Sequence, residues 1–261
     1  MDITFNVSRP EGAPGSGPVR VGWFLHSQTA ALLYAPPERV VFRPPNRDHA
    51  KSAARCPGVL QMESRHFMVR CPVDIHVGFT RDKDGRPALI NRAGTASTIR
   101  ANKLGQMLVM VPEAEWRYPD RPTIQLLLPY CFVADEPCYI TQLDSFAHYR
   151  PTPLPGTIFG GRFPIHAWVR PIMWAMEWHD TSRDLVLRRG DPLFYLTFET
   201  NGPDRPLQLV ETERTPELLA WMEKMNGVVN YVSQTFSLFK AAEAARPPSL
   251  IRPVDNPRSP D

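Results

Sequence analysis

Proline is the feature that most constrains the fold of this chain. Its 261 residues include 29 prolines, where roughly 13 are expected at average usage. Proline breaks helix interiors but is tolerated at strand ends and sheet edges. This frequency therefore favours short strands joined by rigid turns over a helical bundle.

Short apolar or alternating segments recur between Gly, Pro, Asn and Asp clusters, as expected for strands. The predicted strands are 19–25, 39–42, 66–80, 88–91, 107–111, 123–133, 138–143, 185–187, 193–199 and 207–211. Segment 66–80 has the longest alternation, although Pro72 requires a bulge or an edge position. We predict a mainly β fold, either a jelly roll or sandwich or a barrel-like arrangement, with an N-terminal segment and linker at 1–18 and a single β domain at 19–213.

The C-terminal part differs, because an amphipathic helix is predicted over 214–245. Thr215 suits the N-cap and Pro216 the first helical position. The apolar residues that recur every four and three positions are Leu218, Met222, Met225, Val229, Val232, Phe236 and Phe239. This spacing is compatible with a coiled-coil seam in a homo-oligomer, but Gly227 and the wide apolar face favour a helix packed on a sheet. Residues 246–261 form a Pro-rich tail, typical of an extended or disordered segment or of an arm that packs on a neighbour.

Composition narrows the class of protein. No apolar run approaches the ~18 residues needed to cross a bilayer, and residues 1–5 lack the features of a secretory signal. We therefore expect a cytoplasmic protein without a membrane span. A formal net charge of +3, spread along the chain, gives no specific nucleic-acid signal.

The four cysteines lack the paired spacing of a structural zinc site, so reduced thiols are expected. Cys131 and Cys138 bracket a predicted turn and are interpreted as buried free cysteines, with a redox or metal role as the alternative.

Segment 156–199 is the most informative for function, because aromatic, acidic and histidine residues there precede a Gly-Asp-Pro corner. Within it, 171–179 is compatible with a strand or a helix, and we favour the strand. Arginine recognises carboxylates and phosphates through bidentate hydrogen bonds. The candidate residues for binding an anionic small molecule are Arg162, Arg170, Trp174, Trp178, Arg188 and Tyr195. Structural ion pairs are the alternative role for the arginines.

A candidate metal set lies in the same segment. His166, Glu177 and His179 have the chemistry of a two-histidine, one-carboxylate site, which holds non-haem iron or another divalent metal with open positions for substrate. Asp180 is an alternative carboxylate. The competing interpretation is that these histidines are packed or hydrogen-bonded structural residues beside the tryptophans.

Two functional classes stay open. The signatures of serine hydrolases of the G-x-S-x-G type, P-loop NTPases, Rossmann dehydrogenases and HExxH proteases are missing from the sequence. The first class is a binding or assembly protein, as a homo-oligomer or as a receptor for an anionic small molecule. The second is a metal-dependent, oxygenase-type enzyme on a jelly-roll scaffold.

Two resemblances add to these expectations. The segment LVLRRGDPLFYLTF at 185–198 resembles the strand, corner and strand of cupin-like jelly rolls. The metal ligands of that group are His-x-His or His-x-Asp/Glu with a later histidine, whereas here Glu177 and His179 stand in reverse order and no histidine follows Gly190.

A second resemblance covers roughly residues 43–199. The segments RCPGVLQMESRHFMVRCPVDIHVGF and YPDRPTIQLLLPYCFVADEPCYITQL, with the RGDPLFYLTF corner, look similar to an uncharacterised family of proteins from marine phages and bacteria. Its members pair a CPG or CP motif ahead of a Pro-Val-Asp strand with a Gly-x-Pro corner. The resemblance implies no catalytic residue.

Overall fold

The computed structural model describes residues 17–42, 52, 55–202, 205–226 and 236–258. The strands are β1 (Val19–Leu25), β2 (Glu38–Arg39), β3 (His66–Arg70), β4 (Ile75–Arg81), β5 (Pro87–Asn91), β6 (Leu108–Met110), β7 (Thr123–Leu127), β8 (Tyr130–Ala134), β9 (Cys138–Asp144), β10 (Gly156–Phe159), β11 (Arg162–Pro164), β12 (Met173–Trp178), β13 (Leu185–Leu187), β14 (Pro192–Thr200) and β15 (Leu207–Glu211). The helices are α1 (Pro57–Arg65), α2 (Ala101–Met107), α3 (Pro216–Met225) and α4 (Phe236–Ala244). The predicted linker up to residue 16 and most of the loop before Pro57 lie outside the described residues.

Four open sheets make up the β part of the described chain. Their strand orders are β15-β1-β8, β10-β12-β7-β6, β11-β9-β14-β3-β2 and β13-β4-β5. Strands β1 and β15 are parallel, and the other pairs are antiparallel. In the part of the chain that is described, no helix is long and apolar enough to cross a membrane.

One hydrophobic core joins the four sheets. Its largest side chains include Trp174 and Trp178 from β12, Phe132 from β8 and Phe194 from β14, all at most 1% exposed. Burial of this much aromatic surface is a dominant stabilising contribution in a β protein. The predicted mainly β fold is confirmed, with packing like that of a β-sandwich.

Helix α3 covers the outer face of the β15-β1-β8 sheet. Leu218, Trp221 and Met222 pack there in a second core against Phe24 of β1 and Val133 of β8. A sheet buried on both faces has nearly continuous apolar strands, and all five residues of β8 are buried. The interpretation as a helix packed on a sheet is therefore correct for α3.

The prediction of a single helix over 214–245 is wrong beyond Met225. Asn226 has an extended backbone (φ −64°, ψ 134°) and ends α3, and α4 begins at Phe236. The seam positions Val229 and Val232 lie outside the described residues. The repeat of four and three apolar residues did not show the break, because it continues unchanged past Asn226, although Asn favours helix caps over helix interiors.

The segment after α4, predicted as a tail, is held against the β domain as far as Arg258. The backbone N–H of Leu250 donates to the Asp135 carboxylate over 2.6 Å. The Arg258 guanidinium donates to the Glu211 carboxylate over 2.8 Å. The described part of this segment is extended, and it is tied to its own chain.

Two of the segments that were predicted as single strands each form two strands in the structure. Segment 66–80 divides at Pro72 into β3 and β4, and segment 123–133 divides at Pro129 into β7 and β8, in different sheets. Cys71 at the first corner is still buried, so the alternation of apolar residues continues through the bend. Proline has no N–H for the ladder, so the chain changes sheets there.

Candidate functional site

An apolar cavity of about 270 Å³ lies where the four-stranded and five-stranded sheets meet. The five-stranded sheet contributes Ile140 of β9 and Leu196 of β14, and the four-stranded sheet contributes Phe159 of β10 with Met173 and Ala175 of β12. Clefts of this kind, apolar with a few polar groups, are the usual form of small-molecule sites. The cavity is therefore the leading candidate site.

The alternation of β12 explains why the strand serves both the core and the cavity. Trp174, Met176 and Trp178 point into the shared core. Met173 and Ala175 have the opposite parity and line the cavity, as the period of two in a strand requires. One strand thus fixes the cavity wall through the tight packing of its other face.

The loop between β10 and β11 closes one side of the cavity. Gly160 and Gly161 both line it. A Cβ atom on Gly160 would lie 2.2 Å from the backbone oxygen of Gln142, whereas one on Gly161 would meet nothing within 4 Å. Glycine at 160 therefore permits the close approach of this loop to β9.

Arg170 is the one charged residue among the described residues that line the cavity. Its guanidinium is stacked on Trp168, with the guanidinium carbon 5.0 Å from the ring centroid. Among the described residues, no carboxylate pairs with it, and desolvation by burial lowers the pKa of Arg170, with an opposing contribution from Cys131. The cavity therefore contains a partly desolvated cation without a counter-ion from the described chain.

Gln142 adds a second hydrogen-bond donor to the cavity lining. Its side-chain Nε2 is buried and has no hydrogen-bond partner in the described part of the chain. A buried donor without an acceptor costs free energy, commonly about 1–3 kcal/mol. Arg170 and Gln142 both favour an occupant that accepts hydrogen bonds.

Three of the predicted ligand-binding residues lie in packed environments. Trp174 and Trp178 are fully buried, and the Trp178 indole N–H donates to the backbone oxygens of Asp180 and Arg183. Tyr195 is 3% exposed and packs edge-on against aromatic neighbours. These side chains support the fold and do not line the cavity.

The predicted arginines have different environments. Arg162 lies on the surface and forms a bidentate pair with Glu199, at 3.1 and 2.9 Å. Arg188 is exposed and lines a small recess beside Cys71. Arg170 alone of the six candidates lines the cavity, so the structure does not bring the predicted set together.

The predicted metal ligands are also separated. Glu177 Oε1 and His179 Nε2 are 2.9 Å apart, but His166 places Nδ1 3.0 Å from the Cys138 carbonyl oxygen and Nε2 4.0 Å from Glu243. No group of three or more His, Cys, Asp and Glu residues within the described ranges could hold a metal ion. The described structure therefore does not bring the three predicted ligands together, because His166 precedes β12 and packs on β9, whereas Glu177 and His179 lie at the end of β12.

Glu177 and His179 form a carboxylate–imidazole pair of their own. Glu177 is 5% exposed, and its Oε2 has no hydrogen-bond partner among the described residues. Arg121 lies 3.9 Å from Oε1. A buried carboxylate in this position orients the imidazole, and His179 is itself partly exposed to solvent.

The four cysteines are free, and only Cys56 is exposed. Burial raises the pKa of the Cys71 and Cys138 thiols to about 12 and raises that of Cys131 as well. The thiolate is the reactive form. The interpretation of Cys131 and Cys138 as buried free thiols is confirmed.

The fold and the cavity together describe a multi-sheet β protein with an apolar site whose one charged side chain, Arg170, has no acidic partner among the described residues. No protein-family model matches the chain, and comparison with curated proteins and with solved structures gives no match. The chemistry of the cavity is therefore the basis for assigning a function.

Proposed function

We propose that this protein binds a small molecule with an apolar body and one carboxylate group in the cavity beside Arg170. The observation that carries the proposal is the half-buried guanidinium of Arg170, which has no acidic partner among the described residues. Burying a charge is costly unless it is paired. A carboxylate would pair with it through charge-assisted hydrogen bonds.

The second donor and the size of the cavity restrict the ligand further. The buried Nε2 of Gln142 would donate to the same ligand. A volume of about 270 Å³ is slightly below the usual range for small-molecule sites, roughly 300–1,000 Å³. A compact aliphatic or aromatic ring with a single carboxylate fits these limits.

Isothermal titration calorimetry with cyclohexanecarboxylate and benzoate tests the proposal. Cyclohexanecarboxamide, the neutral isostere, should bind at least about tenfold more weakly, because it lacks the charge that Arg170 recognises. Arg170→Gln should weaken carboxylate binding by a similar factor.

Arg162→Gln is the matched control, because Arg162 is a surface arginine that pairs with Glu199. It should leave carboxylate affinity within about twofold of the unsubstituted protein. Circular dichroism and a thermal melt establish that each variant is folded. Failure of both carboxylates to bind, or equal losses in the two variants, would contradict the proposal.

A further inference from the structure

A second concave surface lies on another part of the molecule, with a volume of about 310 Å³. Residues 31–36, which follow β1, form its apolar wall, and Arg70, Arg189 and Arg258 form its basic wall. No acidic residue is among the described residues that line it. We call this surface the arginine groove.

Two of the three arginines are held in place by carboxylates outside the groove lining. Arg70 pairs with Glu38, and its Nη1 donates to the Gly190 carbonyl oxygen over 2.7 Å. Arg258 donates from Nε to Glu211 over 2.8 Å, and its guanidinium carbon lies 4.8 Å from the Trp23 ring centroid.

These contacts fix the two guanidinium groups without using all of their N–H donors, since a guanidinium has five. Nη2 of Arg70 and Nη2 of Arg258 have no hydrogen-bond partner in the described part of the chain. Preorganised donors of this kind lose little conformational entropy when they bind an anion. The basic wall thus has fixed N–H donors that are available to a ligand with several acceptor oxygens.

Arg189 supplies the charge that remains unpaired. Its backbone N–H donates to Asp74 over 2.9 Å, but its exposed side chain forms no ion pair with the described residues. The turn that carries it is fixed by Gly190 at φ +86°, a conformation that favours glycine. Arg189 is therefore free to contact an anion in the groove.

The apolar wall has an uncommon backbone at its start. Ala30 has φ 57° and ψ 28°, in the left-handed region that residues with a Cβ rarely adopt. The 3-10 turn after it places Leu32 98% exposed at the edge of the groove. Such strained positions are concentrated at ligand sites, where the surrounding structure maintains them.

We infer that the arginine groove binds a phosphate monoester, with the phosphate against the three arginines and the organic part against the wall formed by residues 31–36. A phosphate monoester has three terminal oxygens and close to two negative charges at neutral pH. It therefore matches three guanidinium groups better than a carboxylate does. This site is separate from the cavity beside Arg170 and does not depend on the function proposed for it.

Calorimetry with phenyl phosphate at low ionic strength tests the inference. The full chain should bind phenyl phosphate, and phenol should not bind measurably under the same conditions. Arg189→Gln should weaken binding at least about tenfold, because it removes the unpaired charge. Arg188→Gln is the matched control, since Arg188 is also exposed but lies outside the groove lining, and it should change affinity less than about twofold.

A measurement on the unsubstituted protein complements the variants. Phenyl phosphate should protect Arg189 from modification by phenylglyoxal, as located by mass spectrometry, and should leave Arg188 unprotected. No binding of phenyl phosphate, equal losses in the two variants, or no protection of Arg189 would overturn the inference. A loss of phenyl phosphate binding in Arg170→Gln would also overturn it, because the ligand would then occupy the other cavity.

Discussion

Alanine at Gly160 or Gly161 tests the geometry of the cavity loop with two neighbouring substitutions of identical chemistry. An added methyl group at 160 would lie 2.2 Å from the Gln142 backbone oxygen, and the same group at 161 would meet nothing within 4 Å. Neither glycine has a positive φ, so backbone preference does not distinguish them. The difference between the two variants therefore measures the close approach of the loop to β9.

The expected magnitude follows from the displacement that the methyl group requires. Ordinary van der Waals contact begins at 3.4 Å, so the loop and β9 must separate by about 1 Å. Overpacking of this kind costs about 1–3 kcal/mol. Separation also weakens the 3.1 Å hydrogen bond from the Gln142 backbone N–H to the Gly161 carbonyl oxygen, which contributes about 1 kcal/mol. A total of about 2–4 kcal/mol corresponds to a Tm lower by roughly 4–16 °C for a chain of this size.

Differential scanning calorimetry and urea denaturation at pH 7 measure the effect. Gly161→Ala should keep its Tm within about 2 °C of the unsubstituted protein, or raise it slightly through the lower entropy of the unfolded chain. Gly160→Ala should also weaken cyclohexanecarboxylate binding, because the displaced loop forms part of the cavity. Equal Tm values for the two variants would refute the close approach described for Gly160.

Three further predictions concern the second core and the buried thiols. Met222→Ala should lower the free energy of unfolding by about 2–5 kcal/mol, because it leaves a cavity beneath α3. The control Glu223→Ala, at an exposed position of the same helix, should change it by less than about 0.5 kcal/mol. Similar urea midpoints for the two variants would contradict the packing of α3. In the native protein, Ellman's reagent should titrate Cys56 rapidly and the other thiols only after denaturation. Stability should also fall as pH rises above 9, because burial raises the pKa of the Cys71 and Cys138 thiols from the ordinary value of 9.0 to about 12, so that they keep their protons in the folded chain. The slope approaches about 1.4 kcal/mol per pH unit for each such thiol, and urea midpoints that stay constant between pH 8 and 10 would contradict this linkage.

Local patterns predicted several elements correctly. Strands β1, β13 and β15 have the predicted boundaries, since alternation and turn residues are properties of short segments. The start of α3 was also predictable, and the Thr215 side chain accepts a hydrogen bond from the Leu218 N–H over 3.2 Å, as an N-cap does. The corners at Pro72 and Pro129 were harder, because an alternating pattern continues unchanged when a strand passes from one sheet to another.

The sequence predicted the segment that contains the candidate site, but it did not predict which residues line the cavity. Segment 156–199 contributes most of the cavity lining, including Arg170 and the glycine pair. Nothing local distinguishes Arg170 from Arg162, since both lie beside aromatic and apolar residues. Ile140 of β9 and Leu196 of β14 also line the cavity, and no spacing in the sequence connects these two positions with Arg170.

The sequence by itself determined a proline-rich β protein with a capped amphipathic helix near its C-terminal end, because strand alternation, turns and helix caps depend on neighbours within a few residues. The tertiary structure decided which charges are paired. Arg162 meets Glu199 because β9 brings β11 and β14 together in one sheet, whereas Arg170 faces an apolar cavity. Charge pairing and desolvation depend on which distant strands become neighbours, and that information exists only in the folded chain.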